Sequence, residues 1–251
     1  MTAQRISKTE QAVLPDNHPA KPAKASEPHF VVYEDSFATI VGPEPSITLA
    51  IGKDWPFAHE AGIYIPSQDA VFITSNRLGS GSSSHIKISK ISRSSSTSTW
   101  AAEELPPGLV SMANGGINHG NNLLFCAQGT KTTPGALITL PSSPPYTPHT
   151  LLNNYHNRHF NSPNDVVVHS DGSIWFTDPI YGWEQGFKNA PQLPSQIYRF
   201  DPETGDLRVV ADGLGRPNGL CFSPDEKTLY VTDTDWIHGD GTTDDTRAST
   251  V

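Results

Sequence analysis

The sequence predicts an all-β fold built from a repeated unit of four strands. Three observations support it: short apolar runs separated by turns, no long stretch of helical periodicity, and a hairpin pattern that recurs about every 50 residues. Each hairpin has an apolar strand, a tight turn and a second strand that ends in small polar residues. The hairpins span 61–76, 115–129, 165–179 and 219–234.

The four hairpins superimpose with one residue of each second strand in register. These residues are separated by 53, 51 and 55 positions, and they are Phe72, Phe125, Phe176 and Val231. Further β-like runs follow three of the hairpins, at 86–92, 136–140, 197–201 and 207–212. Such a repeat is typical of a β-propeller blade, whereas a β-sandwich gives no reason for so regular a spacing.

The connecting segments agree with this interpretation. Asp171-Gly172 and Pro224-Asp225 are turn-forming pairs between the strands of the third and fourth hairpins. The Ser-rich stretch Ser92–Thr99 is predicted to be a surface loop inserted in the first repeat. Residues 1–28 are polar and rich in Pro, Lys and Ala, so we predict a flexible arm there and a partial propeller over 29–251.

The chain length leaves room for about four blades. Residues 60–251 hold 192 positions, and the fourth repeat has only its first two strands. Propellers typically close with about four to eight blades. We therefore expect a fragment of a longer product, or an open ring whose unpaired strand edges favour self-association.

Composition and charge narrow the function classes. The net charge of -9 argues against sequence-independent nucleic-acid binding, which needs a basic face. No apolar run reaches membrane-spanning length and none after Met1 resembles a signal sequence, so a cytoplasmic protein without a membrane partner is predicted. Cys126 and Cys221 lie in apolar strand-like runs and are interpreted as buried thiols.

One position of the repeat, just before each first strand, provides a candidate metal site. It is occupied by Glu60, Asn114, Asn164 and Asn218. The first strand of each propeller blade lines the central channel, so residues at one position of the repeat share one height around the axis. A carboxylate with amide oxygens is the ligand set of a hard cation, Ca²⁺ above all, whereas zinc would call for His or Cys. Alternatively, each Asn serves its turn by tolerating left-handed geometry.

Two long strings carry a family resemblance. They are FNSPNDVVVHSDGSIWFTDPIYG (160–182) and GLGRPNGLCFSPDEKTLYVTDT (213–234), and the shorter HEAGIYIP (59–66) and MANGGINH (112–119) fit the same pattern. The chain resembles the gluconolactonase family, which includes the senescence marker protein and, closest in pattern, the fungal lactonohydrolases. The resemblance covers residues from about Phe30 to the C-terminus.

The resemblance implies a six-bladed propeller, a divalent cation in its central channel, usually Ca²⁺, and hydrolysis of a small-molecule lactone. Three of the family's ligands fall on Glu60, Asn164 and Asn218. The fourth, an Asp that is also the family's general base, would lie after Val251. Animal members have a substrate-binding Arg where this chain has Ser162, so sugar-lactone specificity does not carry over.

Other residues near these positions are candidates for catalysis or substrate binding. Asp165 is a candidate to orient water or a ligand, or else caps a turn. His59 is a candidate base, as is His119, and Asn114 and Gln128 are candidate substrate contacts. The predicted function is a metal-dependent lactonase. The alternatives are a non-catalytic calcium-binding propeller and an inactive truncated fragment.

Overall fold

The computed structural model describes residues 4–5, 31–32, 35–94 and 96–251. The chain divides into two compact units, residues 1–52 and 53–251. The first unit contains the short parallel strands β1 (Gln4–Arg5) and β2 (Val31–Val32) and the helix α1 (Asp35–Val41). The predicted arm at 1–28 lies outside the described residues apart from β1, so it stays a prediction.

The second unit is all-β apart from single-turn helices, and it consists mainly of four antiparallel sheets. Sheet 1 holds β3 (Glu60–Ile65), β4 (Ala70–Thr74), β5 (Ile88–Arg93) and β6 (Trp100–Glu104). Sheet 2 holds β7 (Ala113–His119), β8 (Asn122–Ala127), β9 (Ala136–Pro141) and β10 (His149–Leu152). A small hairpin follows, formed by β11 (Asn154–Tyr155) and β12 (Arg158–His159).

Sheets 3 and 4 complete the unit. Sheet 3 holds β13 (Val166–Val168), β14 (Ile174–Asp178), β15 (Gln196–Phe200) and β16 (Leu207–Ala211). The connection from β14 to β15 contains the helix α2 (Tyr181–Glu184). Sheet 4 is the hairpin of β17 (Pro217–Phe222) and β18 (Leu229–Asp233). Within the described part of the chain, no helix is both long and apolar enough to cross a membrane.

All four predicted hairpins are confirmed, and the sequence superposition gives the correct register. The four register residues face equivalent first-strand partners, namely Ile63, Gly116, Val166 and Leu220. The sequence did not reveal β6 and β10, the outer strands of sheets 1 and 2. β6 is largely exposed, and β10 is only four residues long with two of them exposed, so neither has the alternating apolar pattern that marks a half-buried strand.

The core consists of layers between successive sheets. The apolar run of β8 shows why: Leu123 and Phe125 pack in the cluster shared with sheet 1, while Leu124 and Cys126 pack in the cluster shared with sheet 3. Sheet 2 is therefore buried on both faces, and its central strand is apolar at successive positions. The first strands β3, β7, β13 and β17 contact one another in that order. This contact series brings the residues at the start of each first strand together.

Two local predictions need adjustment. Cys126 is buried as predicted, but Cys221 is exposed, so the prediction for the second thiol was wrong. Cys221 stands opposite the half-exposed Tyr230 on one face of the two-stranded sheet 4, while its neighbour Leu220 is buried. The Ser-rich segment is the β5–β6 connection, as expected of a surface loop, but Ser92 still belongs to β5.

Candidate functional site

Each first strand is irregular at the predicted site residue or within two residues of it. The pairing of first and second strands shifts register between Ala61 and Ile63 in sheet 1, and equivalent shifts occur in β7 (113–116) and β17 (217–220). In sheet 3 the regular ladder begins only at Val166, after the site residue Asn164. A bulge bends its strand and re-aims a side chain. The common position seen in the sequence is thus a common backbone distortion.

These distortions bring the predicted residues to one cavity of about 270 Å³. Six of the eight predicted site residues line it, and they are His59, Glu60, Asn114, Gln128, Asn164 and Asn218. Other lining residues include Arg77, Tyr181, Gln185 and His238. The donor set is one carboxylate with several amides. Their roles in catalysis or binding stay predictions.

The environment of Glu60 disfavours its negative charge. Burial, and secondly the negative charge of Asp165, raise the pKa of Glu60 to about 7. Its ionised form is therefore costly unless a positive charge lies nearby. A cation bound to the carboxylate would remove that penalty.

The side-chain amides of Asn164 and Asn218 differ in their hydrogen bonds. The Oδ1 of Asn164 is buried and has no hydrogen-bond partner among the described residues. Such an unsatisfied carbonyl is unfavourable, and a cation or a donor would satisfy it. Asn218 donates from Nδ2 to the Tyr181 hydroxyl over 3.3 Å, and that hydroxyl also bonds to Thr234 Oγ1. The nitrogen of Asn218 is therefore occupied within the protein.

The backbone carbonyls of the three Asn residues tie neighbouring sheets together. Thr74 Oγ1 donates to the carbonyl of Asn114 over 3.2 Å, and Thr177 Oγ1 donates to that of Asn218 over 2.7 Å. The carbonyl of Asn164 accepts from the N–H of Gly115 over 2.8 Å. A Cβ on Gly115 would lie 2.5 Å from that carbonyl oxygen, so only glycine fits. Hydrogen bonds from neighbouring sheets thus fix the backbone that carries these side-chain amides.

Two aspartates that are not among the predicted site residues position these asparagines. Asp178 Oδ2 accepts from the N–H of Asn161 over 2.9 Å, and its Oδ1 accepts from that of Ser162 over 2.8 Å. These amides directly precede Pro163-Asn164. Because Pro has no N–H, the carboxylate satisfies the last free donors before the site.

Asp233 repeats this arrangement in sheet 4. Its Oδ2 accepts from Gly215 N–H over 2.9 Å, and its Oδ1 from Arg216 N–H over 2.6 Å, directly before Pro217-Asn218. The sequence did contain the signal: Thr-Asp ends the second strand in both hairpins, at 177–178 and 232–233. From the sequence alone, this pair is indistinguishable from other small polar strand ends.

Asp165 does not line the cavity. Its carboxylate accepts from Val166 N–H over 2.9 Å and from Leu220 N–H over 3.1 Å, which joins sheets 3 and 4. Burial is the main cause that raises its pKa. Asp165 therefore acts on the cavity through its charge on Glu60 and through the placement of sheet 4, and its catalytic role stays a prediction.

The two candidate bases differ in position. His59 lines the cavity beside Glu60, and burial lowers its pKa, so its ring is neutral at pH 7. His119 ends β7 opposite Asn122, whereas Asn114 lies at the start of that strand. Five residues of strand place them about 16 Å apart. His59 alone of the two is placed to act in this cavity.

The fold and the cavity together define an all-β protein of repeated antiparallel sheets that bring one carboxylate and several amides to a common cavity. The chain belongs to the SMP-30/gluconolactonase/LRE-like family, whose model matches residues 82–236.

Curated relatives and a solved structure carry lactonase names. Lactonohydrolase oryL of Aspergillus oryzae is 33% identical over 229 residues, which are 87% of this chain and 50% of that protein. Gluconolactonase of Zymomonas mobilis is 40% identical over 89 residues, 34% of this chain and 24% of that protein. The solved structure of a Xanthomonas campestris gluconolactonase has a TM-score of 0.56 at 30% identity, covering 72% of this chain and 56% of that one. This chain thus spans about half the length of the Aspergillus relative.

Proposed function

We propose that this chain supplies the cation site of a hydrolase that opens the ring of a small-molecule lactone. The observation that carries the proposal is the convergence of Glu60, Asn164 and Asn218, with Asn114 and Gln128, on one cavity. Family membership and the lactonase names of the relatives support the reaction type. The predicted propeller architecture agrees with the ordered series of sheets.

Glu60, Asn164 and Asn218 would hold the cation. The partnerless oxygen of Asn164 and the unfavourable ionisation of Glu60 both fit a hard divalent ion. Ca²⁺ takes about six to eight oxygen ligands, so three protein ligands leave positions for water and substrate. Other divalent cations that prefer oxygen ligands are compatible with the same donor set.

The reaction adds water to the lactone carbonyl and breaks the ring C–O bond, which gives a hydroxy acid. A bound divalent cation would polarise the carbonyl and lower the pKa of the attacking water. Neutral His59 accepts the proton of that water and returns it to the ring oxygen. Gln128 donates from Nε2 to the Met112 carbonyl over 3.4 Å, and together with Asn114 it orients the substrate.

A pH-stat assay on gluconolactone and pantolactone tests this function. We expect acid release that EDTA abolishes and Ca²⁺ restores. Asn164→Ala should lower the rate at least tenfold, while Asn118→Ala, an exposed residue on β7, should leave it unchanged. Turnover that is insensitive to EDTA would exclude the cation-dependent mechanism.

A second candidate is a calcium-binding protein without catalysis. Among the described residues that line the cavity, Glu60 is the one carboxylate, and Asp165 is engaged with two backbone amides. Calorimetric Ca²⁺ binding that Asn164→Ala weakens, with no acid release from any lactone, would favour this candidate.

A further inference from the structure

The cavity is lined by one positively charged side chain among the described residues, that of Arg77, to which the proposed chemistry assigns no role. Arg77 follows β4 and lines the same cavity as Glu60. Its Nη1 donates to the carbonyl of Gln185 over 3.3 Å. Among the described residues this is the one hydrogen bond of the guanidinium, and no carboxylate lies within ion-pair distance of it. A guanidinium has five N–H donors, so four remain for a ligand.

Arg216, in the same region, differs from Arg77 because its guanidinium is fully engaged with carboxylates of the protein. It donates through Nε and Nη2 to Glu184, over 3.0 and 2.6 Å, and through Nη1 to Asp235 over 2.7 Å. Its charge is balanced by two carboxylates. Arg77 is half-buried without such balance, which costs desolvation and adds little stability. A charge held in this way is available to a ligand.

The surroundings of Arg77 indicate the chemistry of that ligand. It is the one Lys or Arg among the described residues that line the cavity, where the other groups are mainly amides, hydroxyls and imidazoles. The planar fork of Arg matches a carboxylate through two parallel N–H···O bonds. A phosphate dianion would call for a second cation, which the described lining does not provide. The cavity, at about 270 Å³, restricts the ligand to a small molecule.

We propose that Arg77 is a specificity-determining residue that selects lactones bearing a carboxylate substituent. This inference rests on the proposed function, and it names the substrate class of the same site. The ring carbonyl lies toward Glu60 and the asparagines, and the substituent carboxylate pairs with the guanidinium of Arg77. The carbonyl of Gln185, which follows α2, holds that guanidinium in place.

The test compares two lactones that differ in one group. D-Glucaro-1,4-lactone carries a carboxylate where D-glucono-1,4-lactone carries a hydroxymethyl group. We expect the wild type to prefer the former in kcat/KM by about tenfold or more, the effect of one charge-assisted contact. Arg77→Gln should reduce this ratio at least tenfold, and Arg77→Lys should restore part of it. Arg93→Gln is the control, because Arg93 also donates to one backbone carbonyl, that of Ser98, outside the cavity.

Three results would overturn the inference: a wild type that prefers the neutral lactone, an Arg77→Gln ratio equal to the wild-type ratio, or an equal loss on both lactones. If the wild type hydrolyses neither lactone, the proposed function fails. Arg77 is then tested by calorimetric binding of glucarate and gluconate. Glucarate binding that Arg77→Gln abolishes supports the inference, and absent or unaffected glucarate binding overturns it.

Discussion

At the residue scale, the site depends on carboxylates that fix backbone amides. Asp178 and Asp233 each accept from the two N–H groups before a Pro-Asn pair, so the direction of Asn164 and Asn218 is set one step away from the cavity. Asp178 is fully buried, and burial raises its pKa to about 7 despite its hydrogen bonds and nearby Lys188. The ionised form of Asp178 is therefore electrostatically unfavourable, although its carboxylate positions the backbone before Asn164.

This cost gives Asp178 a signature in the pH dependence of stability. A carboxyl whose pKa is higher in the native than in the unfolded state binds a proton mainly in the native state between pH about 4 and 7. Its contribution to the free energy of unfolding therefore decreases as pH rises through that range, and levels off above it. We expect the difference in free energy of unfolding between wild type and Asp178→Asn to be larger at pH 5 than at pH 8, measured by chemical denaturation.

Asp233→Asn is the matched control, because it removes one acceptor from the equivalent pair of backbone contacts in sheet 4. Each substitution should destabilise by about 1–3 kcal/mol, since an amide leaves one buried N–H without an acceptor. An Asp178→Asn effect that does not change with pH would contradict the account of its ionisation.

At the element scale, the determining feature is the distorted start of each first strand. Where β7 meets the start of sheet 3, Gly115 donates to Asn164 and leaves no room for a Cβ. At the equivalent place in sheet 4, a Cβ added to Gly219 would meet its nearest neighbouring atom at 3.5 Å, an ordinary contact. Two Asn-Gly pairs at one position of the repeat therefore differ in how closely they are packed.

Alanine substitutions separate the two glycines. Gly115→Ala should destabilise the protein by about 2 kcal/mol or more, because the clash forces sheets 2 and 3 apart and weakens the Gly115–Asn164 hydrogen bond. Gly219→Ala should stay within about 1 kcal/mol of the wild type. Thermal unfolding of both variants measures the difference, and equal destabilisation would show that the close approach at Gly115 has no special role.

At the scale of the whole molecule, the sequence reveals the features that repeat but not the contacts that join one repeat to another. The hairpins, their register and the common position of Glu60, Asn164 and Asn218 follow from local pattern, so they could be read from one sequence. The cross-sheet contacts of Asp165 and Arg216 join residues far apart in the chain, and no local pattern marks them. The prediction that Cys221 is buried fails for a related reason, because an apolar run does not indicate which faces of its sheet are covered.

Thermal unfolding with and without Ca²⁺ tests most directly whether Glu60, Asn164 and Asn218, from three different sheets, form one cation site. A ligand that binds only the folded chain stabilises it by RT ln(1 + [L]/Kd). We predict that Ca²⁺ raises the Tm of the wild type and of Asn118→Ala by several degrees relative to EDTA, and that Asn164→Ala loses this shift. An equal Ca²⁺ shift in Asn164→Ala, or none in the wild type, would contradict the cation site.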